Sequence, residues 1–436
     1  MDESKAKEKS HAATRTMNLK HATKEVGRRY RQFQQLLSLK ETPRIIDLVR
    51  RAAADYIKPK HAPLPVGRDQ VLAADLSHPF QHPILKTQQA EPIYLNWVMI
   101  PPGPGSGGHT TIFRVIRYLE SHGYVNRVYF YNLHNSDHQY YESIVHDYYG
   151  FHGHVAELGP EMEDAHGVLA TAWPTAYPVF NSRCHGKRFY FVQDYEPYFH
   201  PVGAISMLAE NTYRMGFHAI TAGRWLAQKL QVDFGMSADS FNFCCDSSTY
   251  QRFETSDRSG LVFYARPEAD RRGFELGFMA MEIFAGRQPD IDLHFYGDKM
   301  GRLPFRFIDH GHIPPAKLNE IYNRCYAGLS LSMTNVSLVP HEMLAAGCIP
   351  VVNDAHHNRI VLDNSFVRYS APNPHALADA LETIVKNPAF ESLSKSAASS
   401  VRGSTWDNAG ETVDAILRRA LVGPVPADET LCKARH

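Results

Sequence analysis

The sequence predicts an α/β protein of two doubly wound parallel-sheet domains, because two separate runs of it alternate strand with helix. The first run starts near Ile93 and the second near Leu261. Size and composition agree with that reading. The chain has 436 residues, 44% hydrophobic and 21% charged, enough for two cores of ordinary size in a soluble globular protein.

In the first run Tyr94 to Ile100 reads as a strand, PPGPGSGGHTT as the loop after it, and Ile112 to Leu119 as a helix ended by His122-Gly123. Val128 to Tyr131 and Arg188 to Val192 are further strands, the latter running into Gln193-Asp194-Tyr195-Glu196-Pro197. In the second run Leu261 to Tyr264, Leu293 to Tyr296, Ala327 to Leu331 and Ile349 to Val352 read as strands, with helices over 273–285 and 315–325. An amphipathic helix over 404–420 closes the chain. The expected division is a basic helical extension and connector over 1–90, a first domain over 91–258, a second over 259–400, and a helix and tail over 401–436.

No apolar run approaches the ~18–20 residues that span a bilayer, and MDESKAKEKS lacks the apolar core of a secretory signal. The six cysteines show no CxxC pairing, which predicts a reduced, cytoplasmic protein. Net charge is zero, yet residues 1–60 hold 15 Lys/Arg against 7 Asp/Glu. Tyr30, Phe33 and Leu37 recur there at helical spacing among arginines. That pattern reads first as a helix packing one apolar stripe on the protein body. Its second reading is a peripheral contact with anionic lipid at the inner face of the plasma membrane.

In doubly wound sheets ligands bind outside the carboxyl ends of the strands, and the candidate site residues cluster at such ends. Gly103-Pro104-Gly105-Ser106-Gly107-Gly108 matches G-x-G-x-x-G after a strand. Its glycines, Gly105, Gly107 and Gly108 among them, suit a loop lining a cleft between two substrates. A dinucleotide site would want an acid at the end of the next strand, where Tyr131-Asn132 stands instead. Arg266 follows one strand and Arg271-Arg272-Gly273 opens the next helix. Two guanidinium groups there make either a diphosphate clamp or a plain surface cluster. Glu342 lies just past a strand end in the first turn of a helix. Asp290-Ile291-Asp292 sits at the amino end of its strand, the wrong end for a metal-bound ligand. His152/His154 and His310/His312 lack a third ligand at metal spacing. No metal is expected, nor any nucleic-acid partner.

In this order the pieces resemble a GT-B glycosyltransferase of the family 4 type over roughly residues 93–420. The likeness rests on Tyr264-Ala265-Arg266 with Arg272-Gly273, on His310-Gly311-His312-Ile313 with Leu318 and Tyr322, and on Glu342-Met343-Leu344-Ala345-Ala346-Gly347-Cys348-Ile349-Pro350-Val351-Val352. Gln193 to Pro197, Gly216 to Leu226, Arg266-Pro267 and Phe274 to Gly277 look more narrowly like bacterial L-rhamnosyltransferases of surface-glycan assembly. The resemblance implies two Rossmann-like domains and a nucleotide-sugar donor, dTDP-L-rhamnose, as substrate without a further cofactor. It implies a glycan or lipid-linked glycan acceptor. Glu342 would hold the ribose hydroxyls, Arg266 and Arg272 the diphosphate, and the backbone around Ser337, Leu338 and Val339 would cap a phosphate. Thr334 stands where the family has the first glutamate of an E-x7-E pair. Inversion would need a base on the acceptor side. Asp194 is the first candidate, with Glu196 and His109 as alternatives. Rhamnosyl chemistry implies inversion and the family 4 label retention. Two other readings are a GT-B-fold nucleotide-sugar epimerase and a non-catalytic glycan- or sugar-nucleotide-binding protein.

Overall fold

A computed structural model describes residues 91–254 and 257–422, together with 64–79, 83–85 and isolated positions between 49 and 56. The basic extension expected over 1–60, with Tyr30, Phe33 and Leu37, otherwise lies outside the described residues. The chain divides into two compact units, 1–64 and 65–436, and everything below concerns the second.

Seven parallel strands form the first sheet: β1 (Ile93–Met99), β2 (Tyr124–Phe130), β3 (His154–Glu157), β4 (Gly167–Ala170), β5 (Lys187–Val192), β6 (His218–Ala222) and β7 (Ala238–Phe241). Their spatial order is β3-β2-β1-β4-β5-β6-β7. Six more form the second: β8 (Gly260–Ala265), β9 (Asp292–Gly297), β10 (Ile308–Gly311), β11 (Cys325–Leu329), β12 (Ile349–Asn353) and β13 (Arg368–Ser370), ordered β10-β9-β8-β11-β12-β13. Helices cover both faces of a parallel sheet, so its strands are apolar almost continuously. Leu95, Trp97, Val98 and Met99 of β1 and Leu261, Val262 and Phe263 of β8 are all fully buried. Polar exceptions are paired: the Trp97 indole N–H donates to Asn126 Oδ1 at 2.8 Å.

Strand order reverses beside β1 in the first sheet and beside β8 in the second. At such switch points the connections leave in opposite directions and open a crevice at the carboxyl edge. The Gly-rich loop follows β1 and Arg266 follows β8, so both candidate motifs stand at the two switch points.

Element boundaries moved in one place that matters. The helix expected from Ile112 starts at Gly107 and runs to Ser121. Gly107 and Gly108 are therefore its first turn rather than loop. Gly105, with φ of +74°, is the one glycine of the motif in the left-handed region. The last helix, Trp406–Leu421, returns to the first half. Gly410 lies under the Tyr118 ring, where a Cβ would come within 2.2 Å of a ring carbon. The Arg114 guanidinium covers Trp406 at 4.8 Å. No helix among the described residues is long and apolar enough to cross a membrane. Five cysteines, Cys184, Cys244, Cys245, Cys325 and Cys348, are free and buried; Cys432 lies outside the described residues.

Candidate functional site

The carboxyl edges of the two sheets meet, and one junction between them is built on Asp194 and Asn335. Asp194, one residue beyond Gln193 at the end of β5, is buried. Its Oδ1 accepts from the backbone N–H of Tyr195 and of Asn335, each at 2.8 Å. Its Oδ2 lies 3.5 Å from Arg271 Nε and 3.9 Å from Arg272 Nη2. Asn335 adds two bonds toward the first half, its Nδ2 donating to the carbonyls of Gln193 and Ala222, each at 2.8 Å. Gln193 in turn donates to the Gly108 carbonyl at 3.1 Å, joining the Gly-rich motif to the same junction.

The arginines stand on a short turn, Asp270–Arg272, ended by Gly273 at φ +56°. That left-handed glycine turns the chain into the helix Phe274–Arg287 and leaves both guanidinium groups over the edge of β8 and β11. Arg272 Nη1 donates to Ser332 Oγ at 2.8 Å and to the Asn335 carbonyl at 3.3 Å. Burial works against its charge and pulls its pKa down, while Asp194 acts the other way. The Arg271 guanidinium lies over the Phe199 ring at 4.3 Å. Arg266, whose charge also acts on Arg272, has its Nε 3.2 Å from Asp298 Oδ2 and its Nη1 3.2 Å from the Tyr264 hydroxyl.

Glu342 lies in the helix Val339–Ala345, half-buried, where the hydroxyls of Tyr250 and Tyr322 and the positive charge of Arg114 of the first half favour its ionised form. Burial outweighs these and pushes its carboxyl up to about 7. At the start of that helix and just before it, the backbone N–H groups of Ser337, Leu338 and Val339 find no protein acceptor among the described residues. Three buried polar atoms of the same region, Thr334 Oγ1, Asn335 Oδ1 and His341 Nδ1, also lack a hydrogen-bond partner among the described residues. Buried polar groups are almost always paired, so these atoms mark a place where bonding within the protein is incomplete.

Of the acceptor-side candidates, Glu196 is placed in the core, its Oε2 accepting the Trp173 N–H at 2.6 Å. Burial pushes its carboxyl up to about 8. His109 sits in the first turn after Ser106. Its Nε2–H donates to the Ile100 carbonyl at 3.0 Å, which leaves Nδ1 to accept from the Ser106 hydroxyl at 2.8 Å. Burial holds that imidazole below its usual range, in keeping with the neutral form this bonding needs. Asp292 lies at the amino end of β9, away from the site, as expected. His310 stacks on His294 and bonds its Nδ1 at 2.9 Å. Sequence reasoning missed Asn335, Ser332, Arg114, Tyr250 and the Tyr322 hydroxyl's role. None carries a local signal, since each acts through a partner far away in the chain.

Residues 259–382 match the family described as WsaF, C-terminal domain. Over 274 residues the chain is 32% identical to the O-antigen biosynthesis protein RfbC of Myxococcus xanthus, an alignment covering 60% of this chain and 21% of that protein. The chain thus spans about a fifth of that relative's length. Among solved structures, a glycosyltransferase from Rickettsia africae ESF-5 superposes with a TM-score of 0.54 at 11% identity, over 76% of this chain and all of that one. A mutant O-GlcNAc transferase from Thermobaculum terrenum gives 0.53 at 10% identity, over 81% and 73% of the two chains. A Listeria monocytogenes protein described as a UDP-N-acetylglucosamine 2-epimerase gives 0.51 at 11%, over 76% and 96%. With two parallel-sheet halves meeting at their carboxyl edges, the second of them matching the WsaF domain, the chain has the GT-B glycosyltransferase fold.

Proposed function

We propose that this protein transfers a sugar from a nucleoside-diphosphate donor to a glycan acceptor in surface-glycan biosynthesis, and that the donor is dTDP-L-rhamnose. The observation that carries the reading is the pair Arg271 and Arg272, held at the switch point of the second sheet with the Asp194 carboxylate opposite them. A diphosphate suits that position. Its oxygens can take both guanidinium groups, and the N–H groups of Ser337 to Val339 are free to cap it. Glu342 is the acceptor for ribose hydroxyls. The RfbC relative's part in O-antigen biosynthesis supports the pathway class.

In the proposed reaction an acceptor hydroxyl oxygen bonds to the anomeric carbon while the bond from that carbon to the diphosphate oxygen breaks. The electron pair leaves with the diphosphate, where Arg266, Arg271 and Arg272 stabilise the charge that grows in the transition state. These cations perform the leaving-group task a divalent ion could serve, so the proposal is metal-independent. Asp194 receives the acceptor's proton. In the structure that carboxylate is engaged by the arginines, so an arriving diphosphate takes them over and frees it for this role.

Calorimetry with dTDP, UDP and GDP, repeated for Glu342→Ala and Arg272→Ala, tests the donor site. Binding selective for dTDP and weakened in both variants is the expected result. Selectivity for another base would discard rhamnose, and no binding of any of the three would discard the donor site. Product analysis with dTDP-L-rhamnose then separates transfer from isomerisation, the outcome an epimerase of the same fold would give.

A further inference from the structure

A cavity lies on the carboxyl edge of the first sheet, beyond β2 and β3. Its volume is about 610 Å³, and Asp69, Gln70, Tyr131, Asn132, His138 and Glu157 are among its lining residues. That size is within the ~300–1,000 Å³ typical of small-molecule sites. The walls are fixed by bonds that reach across the chain. The Gly67 N–H donates to the Tyr131 hydroxyl at 2.7 Å, and Asn181 Nδ2 donates to the Gln70 carbonyl at 2.8 Å. Asn132 binds Ser136 through both ends of its amide and reaches Glu157 Oε1 at 3.0 Å. His138 Nδ1 meets the same Oε1 at 3.2 Å, which leaves Glu157 Oε2 without a protein partner among the described residues.

The lining decides the class of ligand. It contains two carboxylates, Asp69 and Glu157, and no lysine or arginine. Such a site repels phosphate, so it is no second donor site. Carboxylate oxygens and amides beside a tyrosine suit a ligand that offers hydroxyl donors and a weakly apolar face, which describes a neutral sugar. The location decides the substrate. β2 lies directly beside β1, and the Tyr131 N–H donates to the Met99 carbonyl at 2.8 Å, so the cavity adjoins the strand that carries the Gly-rich motif. Ligands of such sheets lie along this carboxyl edge.

We infer that this cavity is a subsite for a neutral sugar residue of the acceptor glycan, set back from the reacting hydroxyl. The inference rests on the glycosyl-transfer reading and adds the chemical class and the docking place of the acceptor. A neutral sugar here gives its hydroxyl protons to Glu157 Oε2 and Asp69 and stacks along Tyr131.

Saturation-transfer NMR on the full chain tests it. The probes are methyl glycosides and disaccharides of L-rhamnose, D-glucose, D-galactose, D-mannose and N-acetyl-D-glucosamine, each with dTDP in the same tube. At least one sugar is expected to receive saturation from the unmodified chain. Its signal should fall about ten-fold in the double variant Asp69→Asn/Glu157→Gln, where two charge-assisted bonds become neutral ones. Leu133→Trp, which adds bulk at a residue lining the cavity, should remove the signal, and dTDP should bind equally in all three proteins. Sugar signals unchanged in both variants, or absent for every sugar in the unmodified chain, overturn the subsite while dTDP binding keeps the donor reading. Failure of dTDP, UDP and GDP alike to bind overturns the donor reading itself, and the subsite as an acceptor site with it.

Discussion

Asp194 accepts the backbone N–H of Asn335 at 2.8 Å, so a carboxylate at the end of β5 holds the loop that follows β11. Its other oxygen faces Arg271 and Arg272 and stands where a donor's diphosphate is proposed to sit. One side chain thus both joins the halves and competes with the donor for its cations. Asp194→Asn keeps an oxygen for the Tyr195 and Asn335 N–H groups and removes the charge. Calorimetry should therefore show dTDP bound as well or a few-fold more tightly. Single-turnover transfer should fall by about 100-fold or more, the scale of a lost general base. Binding and turnover weakening together would reduce Asp194 to a structural tie.

Arg272 is enclosed and bonds Ser332 Oγ and the Asn335 carbonyl through one nitrogen. A charge-assisted bond to phosphate contributes roughly 1.5–3 kcal/mol, so Arg272→Ala should weaken dTDP binding by about 10- to 100-fold. Arg272→Lys restores a charge without the planar fork and should fall between. Thymidine, which lacks phosphate, should bind the three proteins equally. A parallel loss of thymidine binding would mean that the substitution disturbs the fold rather than the phosphate site.

The sheets were legible because buried parallel strands such as Leu261 to Tyr264 are apolar on both faces and glycines or prolines bound them. Short edge strands, β3, β10 and β13, have too few residues to show that pattern. The candidate site was legible where a residue type is unusual for its place: Glu342 past a strand end, and arginines before Gly273. It was not legible where the signal is a distance. Nothing in Thr334-Asn335-Val336 announces that Asn335 bonds residues 193, 194 and 222 across the cleft. Glu196 shows the converse. Its place two residues after Asp194 suggested chemistry, but the fold turns its carboxylate inward to the Trp173 N–H.

Glu342 should make donor binding depend on pH. Burial raises its pKa to about 7, so the ionised form that accepts two ribose hydroxyls dominates only above that value. If binding needs that form, affinity for dTDP-L-rhamnose should be about ten-fold weaker at pH 6 than at pH 8. The sugar nucleotide is the right probe, since its diphosphate lacks the terminal ionisation that dTDP has near pH 6. Glu342→Gln should bind more weakly at pH 8 and show no such slope. A slope retained by the glutamine variant would place the titration elsewhere.

Glu196 gives a stability prediction with a definite sign. Burial raises its carboxyl from 4.5 to about 8, so between those values the folded chain binds more protons than the unfolded chain. Stability from this group is therefore full below about 4.5, is lost as pH rises, and is gone above about 8. Glu196→Gln keeps an oxygen for the Trp173 N–H and cannot ionise. Its melting temperature should thus fall less than that of the unmodified protein between pH 6 and pH 9, and its turnover at pH 7 should be nearly unchanged. Glu196→Ala leaves the Trp173 N–H buried without an acceptor and should cost about 2–3 kcal/mol. A hundred-fold loss of turnover in Glu196→Gln at unchanged melting temperature would instead make Glu196 the proton acceptor and remove Asp194 from that role.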